Sequence, residues 1–204
     1  MYVDFAELSP NQIYFNIIQT LIPRPIAWVL SENAGGDYNL APFSYFNAVC
    51  SDPPLIMLSI GRKPDGTLKD TRVNIEARNH FVVHIAHRDL AQAVTDSSAT
   101  LDYGDSEVAR LGLETVPFDG FPLPRLADCR IAYACEQYEI REIGAAKQTL
   151  LLGRVKGLYV DDTVVVTDAK GRTKFDAAQI DPLGRLGGSE YSTMEGVISI
   201  PRPA

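Results

Sequence analysis

The segment Lys69-Asp70-Thr71-Arg72 has the charges and hydroxyl that grip a phosphoryl group. It opens a stretch, Lys69 to Asn79, that reads as a helix, with Asp70 or Thr71 as N-cap and Val73 and Ala77 on one face. The start of a helix presents N–H groups without partners and a partial positive charge. Lys69 and Arg72 add full charges and Thr71 adds a hydroxyl, which together make a phosphate cradle. An ordinary capped surface helix looks the same, so both readings stand. The preceding strand brings Ser59 and Arg62 toward the same neighbourhood and adds some weight to the anion reading.

A second segment, Asn39 to Asn47 (NLAPFSYFN), mixes aromatics with small polar residues around Pro42. A flat heteroaromatic ligand needs that mixture. Backbone groups freed where a ladder is broken bond the ring edge, and Tyr45 and Phe46 supply apolar walls. The same aromatics can equally fill the end of a barrel. A third segment, Arg185 to Tyr191 (RLGGSEY), pairs glycines with an Arg and a Tyr and lets backbone approach a ligand or a partner chain closely. It also fits a plain turn in the tail.

Other chemistries lack their residues. There is no G-x-G-x-x-G, no G-x-x-x-x-G-K-S/T, no H-E-x-x-H and no G-x-S-x-G. His80 and His84 would share a strand face, with His87 just beyond, but nothing completes a metal set around them. Three cysteines, Cys50, Cys129 and Cys135, form no C-x-x-C pair, and an odd count argues against a disulfide framework. Cys129 and Cys135 are expected as buried small hydrophobes pointing to the same side of one strand.

The elements that must position these segments are mostly strands. Pro25 to Ser31 reads as a strand, Glu32 to Tyr38 as a hairpin loop, and Asn39 to Cys50 as an extended return that becomes an irregular loop. Leu55 to Ile60, Phe81 to Ala86, Cys129 to Ile143, Leu150 to Val160 and Thr163 to Thr167 read as further strands. Asp89 to Ser98 and Asp105 to Leu111 read as helices, and Asp181 to Ala204 as an irregular tail. This is not a βαβα rhythm; it suggests an antiparallel barrel with helices outside it.

The chain has 204 residues, 46% hydrophobic and 22% charged, with no repeat or low-complexity tract, so a single domain over residues 1–204 is expected. A formal net charge of −7 disfavours nucleic acid as a partner. No apolar run approaches the roughly 20 residues that span a bilayer, and the acidic start lacks the basic region of a signal peptide. A cytoplasmic protein is expected.

The stretches RPIAWVLS (Arg24 to Ser31), NLAPFSYFN, Asp52-Pro53-Pro54, KDTRVN (Lys69 to Asn74), Phe81-Val82-Val83, and Gly184 to Gly188 with Tyr191 occur in one order along nearly the whole chain. In this series the chain resembles the flavin-reductase-like, FMN-binding split-barrel family, in its flavoredoxin-like branch. The resemblance implies a mainly β (α+β) fold, a six-stranded antiparallel Greek-key split barrel that forms a homodimer with FMN near the subunit interface. It implies that Asn39, Ala41, Ser44, Tyr45 and Phe46 line the flavin ring and ribityl chain. It puts Ser59, Lys69, Asp70 and Thr71 at the phosphate, with Arg24 and Arg185 as further contacts and Tyr191 from the tail of either chain. Cys50 stands where the family carries a small hydroxyl residue. The implied activity is NADH- or NADPH-dependent reduction of FMN, supplying a monooxygenase or another electron-transfer partner. A flavoredoxin-type electron carrier and a non-catalytic flavin-binding protein are the alternatives.

Overall fold

The computed structural model describes residues 1–200. Seven strands form the main sheet: β1 (Ala27–Glu32), β2 (Tyr38–Phe43), β3 (Phe46–Ser51), β4 (Pro54–Ile60), β5 (His80–Ile85), β6 (Ile131–Ile143) and β7 (Gln148–Val160). Their order is β2-β1-β5-β6-β7-β4-β3, and every neighbouring pair is antiparallel. The two end strands, β2 and β3, are separated in sequence only by Ser44 and Tyr45. A sheet whose edges are two residues apart must curl round on itself. No ladder joins those edges among the described residues, so the barrel is split.

The expected antiparallel split barrel with added helices is the fold of this chain. The sheet has seven strands because the segment from Asn39 to Cys50 forms two strands, β2 and β3, rather than one return and a loop. Thr163 to Thr167 does not join the sheet. It begins as a 3-10 turn, Asp162–Val164, and its strand Val165–Thr167 pairs only with Thr173–Phe175.

Alternation along β1 explains the two cores. Successive strand residues point to opposite faces. Ala27 and Val29 face the barrel interior with Phe43, Phe46, Leu58, Phe81 and Leu151. Trp28 and Leu30 face outward and are covered by Leu40, Val82, Val94 and Val108. The outer cover comes from helices α3 (Ala91–Asp96) and α4 (Glu107–Leu111), which follow α1 (Pro10–Thr20) and α2 (Asp70–Arg78) in the chain. Both faces of β1 are therefore apolar, as its continuous run of Ile, Ala, Trp, Val and Leu requires.

Helix α1 carries a complete capping box, Ser9 with Gln12, and Pro10 at its first position. The sequence reading did not assign a helix here. In α2 the expected N-cap is corrected: Lys69 occupies that position without a side-chain capping bond. The buried face of α2 is Thr71, Asn74 and Ile75, whereas Ala77 is exposed. Cys129 and Cys135 are both buried, but Cys129 belongs to the outer core and Cys135 to the barrel interior. Strand parity does not relate them, because Cys129 lies outside the strand that begins at Ile131.

The tail is not irregular throughout. Gly184–Arg185 pairs with both Arg24–Pro25 and Tyr191–Ser192 in a small three-stranded sheet. A Cβ at Gly184 would stand 2.8 Å from Cβ of Pro23, so only glycine allows this approach.

His84 sits at the junction of β5 and the outer core, fully buried. Its Nδ1–H donates to the Trp28 carbonyl at 3.1 Å, and its Nε2 accepts the Leu126 N–H at 2.9 Å. Burial lowers its pKa from 6.5 to about 4, with the Trp28 carbonyl opposing and Arg125 adding to the shift. The folded imidazole is therefore neutral where the unfolded one takes a proton. Its contribution is complete above pH 6.5 and is lost as pH falls toward about 4. Denaturant unfolding at about pH 5 is expected to show about 2 kcal/mol less stability from this group than at about pH 7.5. His84→Gln should remove that part of the pH dependence; an unchanged profile would contradict the assignment.

Candidate functional site

Two cavities meet beside the split. The first, about 70 Å³, is lined by Asn39, Ala41, Pro42, Lys63, Lys69, Asp70, Thr71, the loop Ser97 to Leu101, and Glu107. The second, about 200 Å³, is lined by Ile26, Pro42, Ser44, Val94, Thr95, Ser98, Arg185, Ser189 and Tyr191. Pro42 and Ser98 line both, so the two cavities are adjacent, and together they are called the groove.

The floor of the first cavity is the start of α2. No side chain caps this helix, and its first residues, Asp70 and Thr71, line the cavity, so the helix start there lacks the usual side-chain acceptor. Asn39 Nδ2 donates to Thr71 Oγ1 at 2.9 Å and to Ser31 Oγ at 3.1 Å. Asn74 Nδ2 extends this buried network to Asn33 Oδ1 at 2.7 Å. Asn33 Nδ2 then reaches the Gly104 carbonyl at 3.2 Å. The network fixes the helix start, the first hairpin and the loop leading to α4 in one arrangement.

Lys63 and Asp70 form an ion pair at 2.6 Å. Lys69 has no carboxylate within ion-pair distance among the described residues; its Nζ lies over the Phe43 ring, 5.6 Å from the centroid. Burial, and then the neighbouring Lys63, hold the Lys69 amine below its ordinary 10.5. A desolvated ammonium, an uncapped helix start and a hydroxyl converge on one cavity. That donor set suits a phosphomonoester.

The second cavity is closed on one side by the tail. Arg185 lies over the Tyr191 ring, 4.7 Å to its centroid, and its Nη2 donates to the Gly188 carbonyl at 2.5 Å. Tyr191 Oη and Thr95 Oγ1 are hydrogen-bonded at 2.9 Å. Tyr191 lines this cavity within the single chain described. With Ile26, Pro42 and Val94 as apolar walls, the groove widens away from α2 into a space suited to a flat ring.

Eight of the residues singled out from sequence line the groove: Asn39, Ala41, Lys69, Asp70 and Thr71 in the first cavity, and Ser44, Arg185 and Tyr191 in the second. Four lie elsewhere. Arg24 is buried, and its guanidinium donates to the carbonyls of Ile18 at 2.6 Å, Leu21 at 2.9 Å and Leu186 at 3.0 Å. Its Nε reaches Ser44 Oγ at 3.4 Å, so it ties α1 and the tail to the groove wall. Phe46 packs in the barrel interior. Ser59 Oγ accepts from Gln148 Nε2 at 3.0 Å on the β4–β7 ladder. Tyr45 is part-buried; burial and nearby Tyr14 raise its pKa against the opposing Arg24. Arg72 and Arg62 also turn away from the cradle, pairing with Glu76 and Glu142.

Sequence reading missed Lys63, Ser97, Ser98, Thr100 and Glu107. The run Ser97-Ser98-Ala99-Thr100, small hydroxyl residues just after a helix, was a usable signal. Lys63 and Glu107 carry no local signature, because only the tertiary fold brings them to α2. The three histidines do not converge, and no metal-binding group of three or more His, Cys, Asp or Glu occurs among the described residues. No helix there is long and apolar enough to cross a membrane.

The split antiparallel barrel sets an uncapped, cationic helix start and an apolar-walled cavity side by side. Residues 19–174 match the flavin reductase like domain, and the chain belongs to that family. An uncharacterized protein of Halalkalibacterium halodurans is 36% identical over 96% of this chain and 93% of its own. Among solved structures, nitrilotriacetate monooxygenase component B from Bacillus cereus is similar, with 29% identity, 98% of each chain covered and a TM-score of 0.88. The 2-nitrobenzoate 2-nitroreductase of Pseudomonas fluorescens is similar at 28% identity, covering 100% of this chain and 96% of its own, with a TM-score of 0.87.

Proposed function

We propose that this chain binds FMN along the groove and reduces it with NADH or NADPH, as a flavin reductase of one domain working in the cytoplasm. The observation that carries this reading is the uncapped start of α2, facing a cavity with Thr71 and an ammonium, Lys69, that has no carboxylate partner among the described residues. The flavin, when bound, supplies the two-electron acceptor for a nicotinamide hydride. The chain's own residues bind and orient. Lys69, Thr71 and the α2 N–H groups hold the phosphoryl end. Ser98 and Pro42 lie where the two cavities adjoin. Arg185, steadied by Tyr191 and Gly188, offers positive charge in the wider cavity, where a reduced ring gains electron density. No acid–base dyad is needed, and binding residues carry the function.

The similarity to a monooxygenase component B supports a role in supplying reduced flavin to a separate oxygenase. A homodimer is consistent with the exposed apolar side chains of Tyr14, Phe15, Leu21 and Ile22 near α1, and of Val49 on the edge strand β3. Light scattering at micromolar concentration should give twice the chain mass.

Purified protein mixed with FMN is expected to oxidise NADH or NADPH, followed by loss of nicotinamide absorbance. Bound FMN that is reduced by neither nicotinamide would remove the reductase reading. Slow FMN exchange with reduction by a protein donor alone would establish an electron carrier instead.

A further inference from the structure

The first cavity contains a carboxyl group that phosphate binding by itself does not require. Glu107 lines it beside Lys63, Lys69 and Asp70 and is only 7% exposed. Its Oε2 accepts the Leu40 N–H at 2.9 Å, which holds the carboxyl against β2. A phosphomonoester carries close to two negative charges near neutrality, with a second pKa of about 6. Counting the lining side chains, the Lys63–Asp70 pair cancels, and Lys69 cancels an ionised Glu107. A dianion would then enter a cavity with no net side-chain charge and, among the described residues, one carboxylate, Glu107, without an ion-pair partner.

We propose that Glu107 takes up a proton when a phosphomonoester enters this cavity, so that ligand and proton bind together. The inference rests on the reading of the cavity as the FMN phosphate site. The proton comes from solvent and no other bond changes. Asp70, from α2, opposes the Glu107 charge, and Lys63, from the segment before α2, favours it. Lys69 lines the same cavity. β2 offers only the Leu40 N–H and the neutral Asn39, and Ser97 to Leu101 offers no charge. Even without ligand, burial pushes the Glu107 carboxyl above the ordinary carboxylate range, and Asp70 adds to this. The Leu40 N–H, its own N–H and Lys63 act in the opposite sense. An arriving dianion moves it further the same way.

The test is calorimetric titration of the full-length protein with FMN at about pH 7.5, in two buffers of different ionisation heat. About half to one proton taken up per FMN is expected. At that pH the ligand's own second ionisation is nearly complete, so a bare dianion entering an unlinked site would take up almost none. Glu107→Gln keeps a carbonyl oxygen for the Leu40 N–H. It should abolish the uptake and bind FMN about three- to tenfold more tightly at about pH 8, the gain shrinking as pH falls. No uptake by the native protein overturns the proposal. Uptake that persists in Glu107→Gln also overturns it, since the proton would then belong to Lys69. Riboflavin, which lacks the phosphate, separates the two levels of failure. Equal affinity for riboflavin and FMN rejects the phosphate site itself. A clear preference for FMN without proton uptake rejects only the role of Glu107.

Discussion

Lys69→Ala is expected to weaken FMN binding about 30- to 150-fold, the equivalent of about 2 to 3 kcal/mol for a charge-assisted bond to an anion in a sheltered site. Lys69 caps nothing and pairs with no carboxylate among the described residues, so little holds it in place except a ligand of opposite charge. Its amine is already held below 10.5 by burial, so sheltering an ammonium there is a cost to the folded chain. The variant should therefore keep or slightly raise its unfolding midpoint while losing affinity. Trp28 provides the readout. It is the single tryptophan, and its indole N–H donates to Ser97 Oγ at 2.8 Å, on the rim of the first cavity. Flavin binding should quench its emission. The same titration should show native affinity falling at alkaline pH, from below 10.5, as Lys69 loses its proton. Lys69→Ala should lack that alkaline loss. Unchanged affinity in the variant would put the phosphate elsewhere.

Phe81→Ala should cost about 3 to 5 kcal/mol of folding stability, the usual range for emptying a fully buried aromatic site. Phe81 is fully buried on β5, and its ring lies over Gly153 of β7, where a Cβ would stand 2.5 Å from Cζ. The ring fills the space that the missing side chain leaves. Gly153→Ala should in turn cost about 1 to 3 kcal/mol through overpacking. The double variant should lose less than the sum, because each change relieves the other. Urea unfolding with an unchanged slope measures all three. A loss under about 1 kcal/mol for Phe81→Ala would show that the barrel interior is not packed around this ring.

The barrel was legible because strand periodicity is local. The apolar run of β1, the alternation in β6 and the Pro and Gly boundaries of β4 each follow from residue types alone. The split between β2 and β3 was harder to read. Ser44 and Tyr45 carry no Gly or Asn to mark a turn, and only sheet closure makes them a junction. Lys69, Asp70 and Thr71 were legible as a group and do line one cavity, but their charges were weighed too evenly. Asp70 neutralises Lys63 rather than capping the helix, and Arg72 is held by Glu76. Arg24 illustrates the same limit. The resemblance implied Arg24 as a ligand contact, yet its guanidinium donates to three backbone carbonyls. Glu107 and the Ser97 to Leu101 loop reach the groove through packing of the outer layer on β1 and β2, which no short spacing encodes.

A crystal structure of the protein with FMN tests the central claim most directly. The phosphoryl oxygens are expected within hydrogen-bond distance of Lys69 Nζ, Thr71 Oγ1 and the first N–H groups of α2, with the ring extending past Pro42 toward Arg185 and Tyr191. FMN ordered anywhere that leaves the start of α2 without a phosphoryl partner would contradict it.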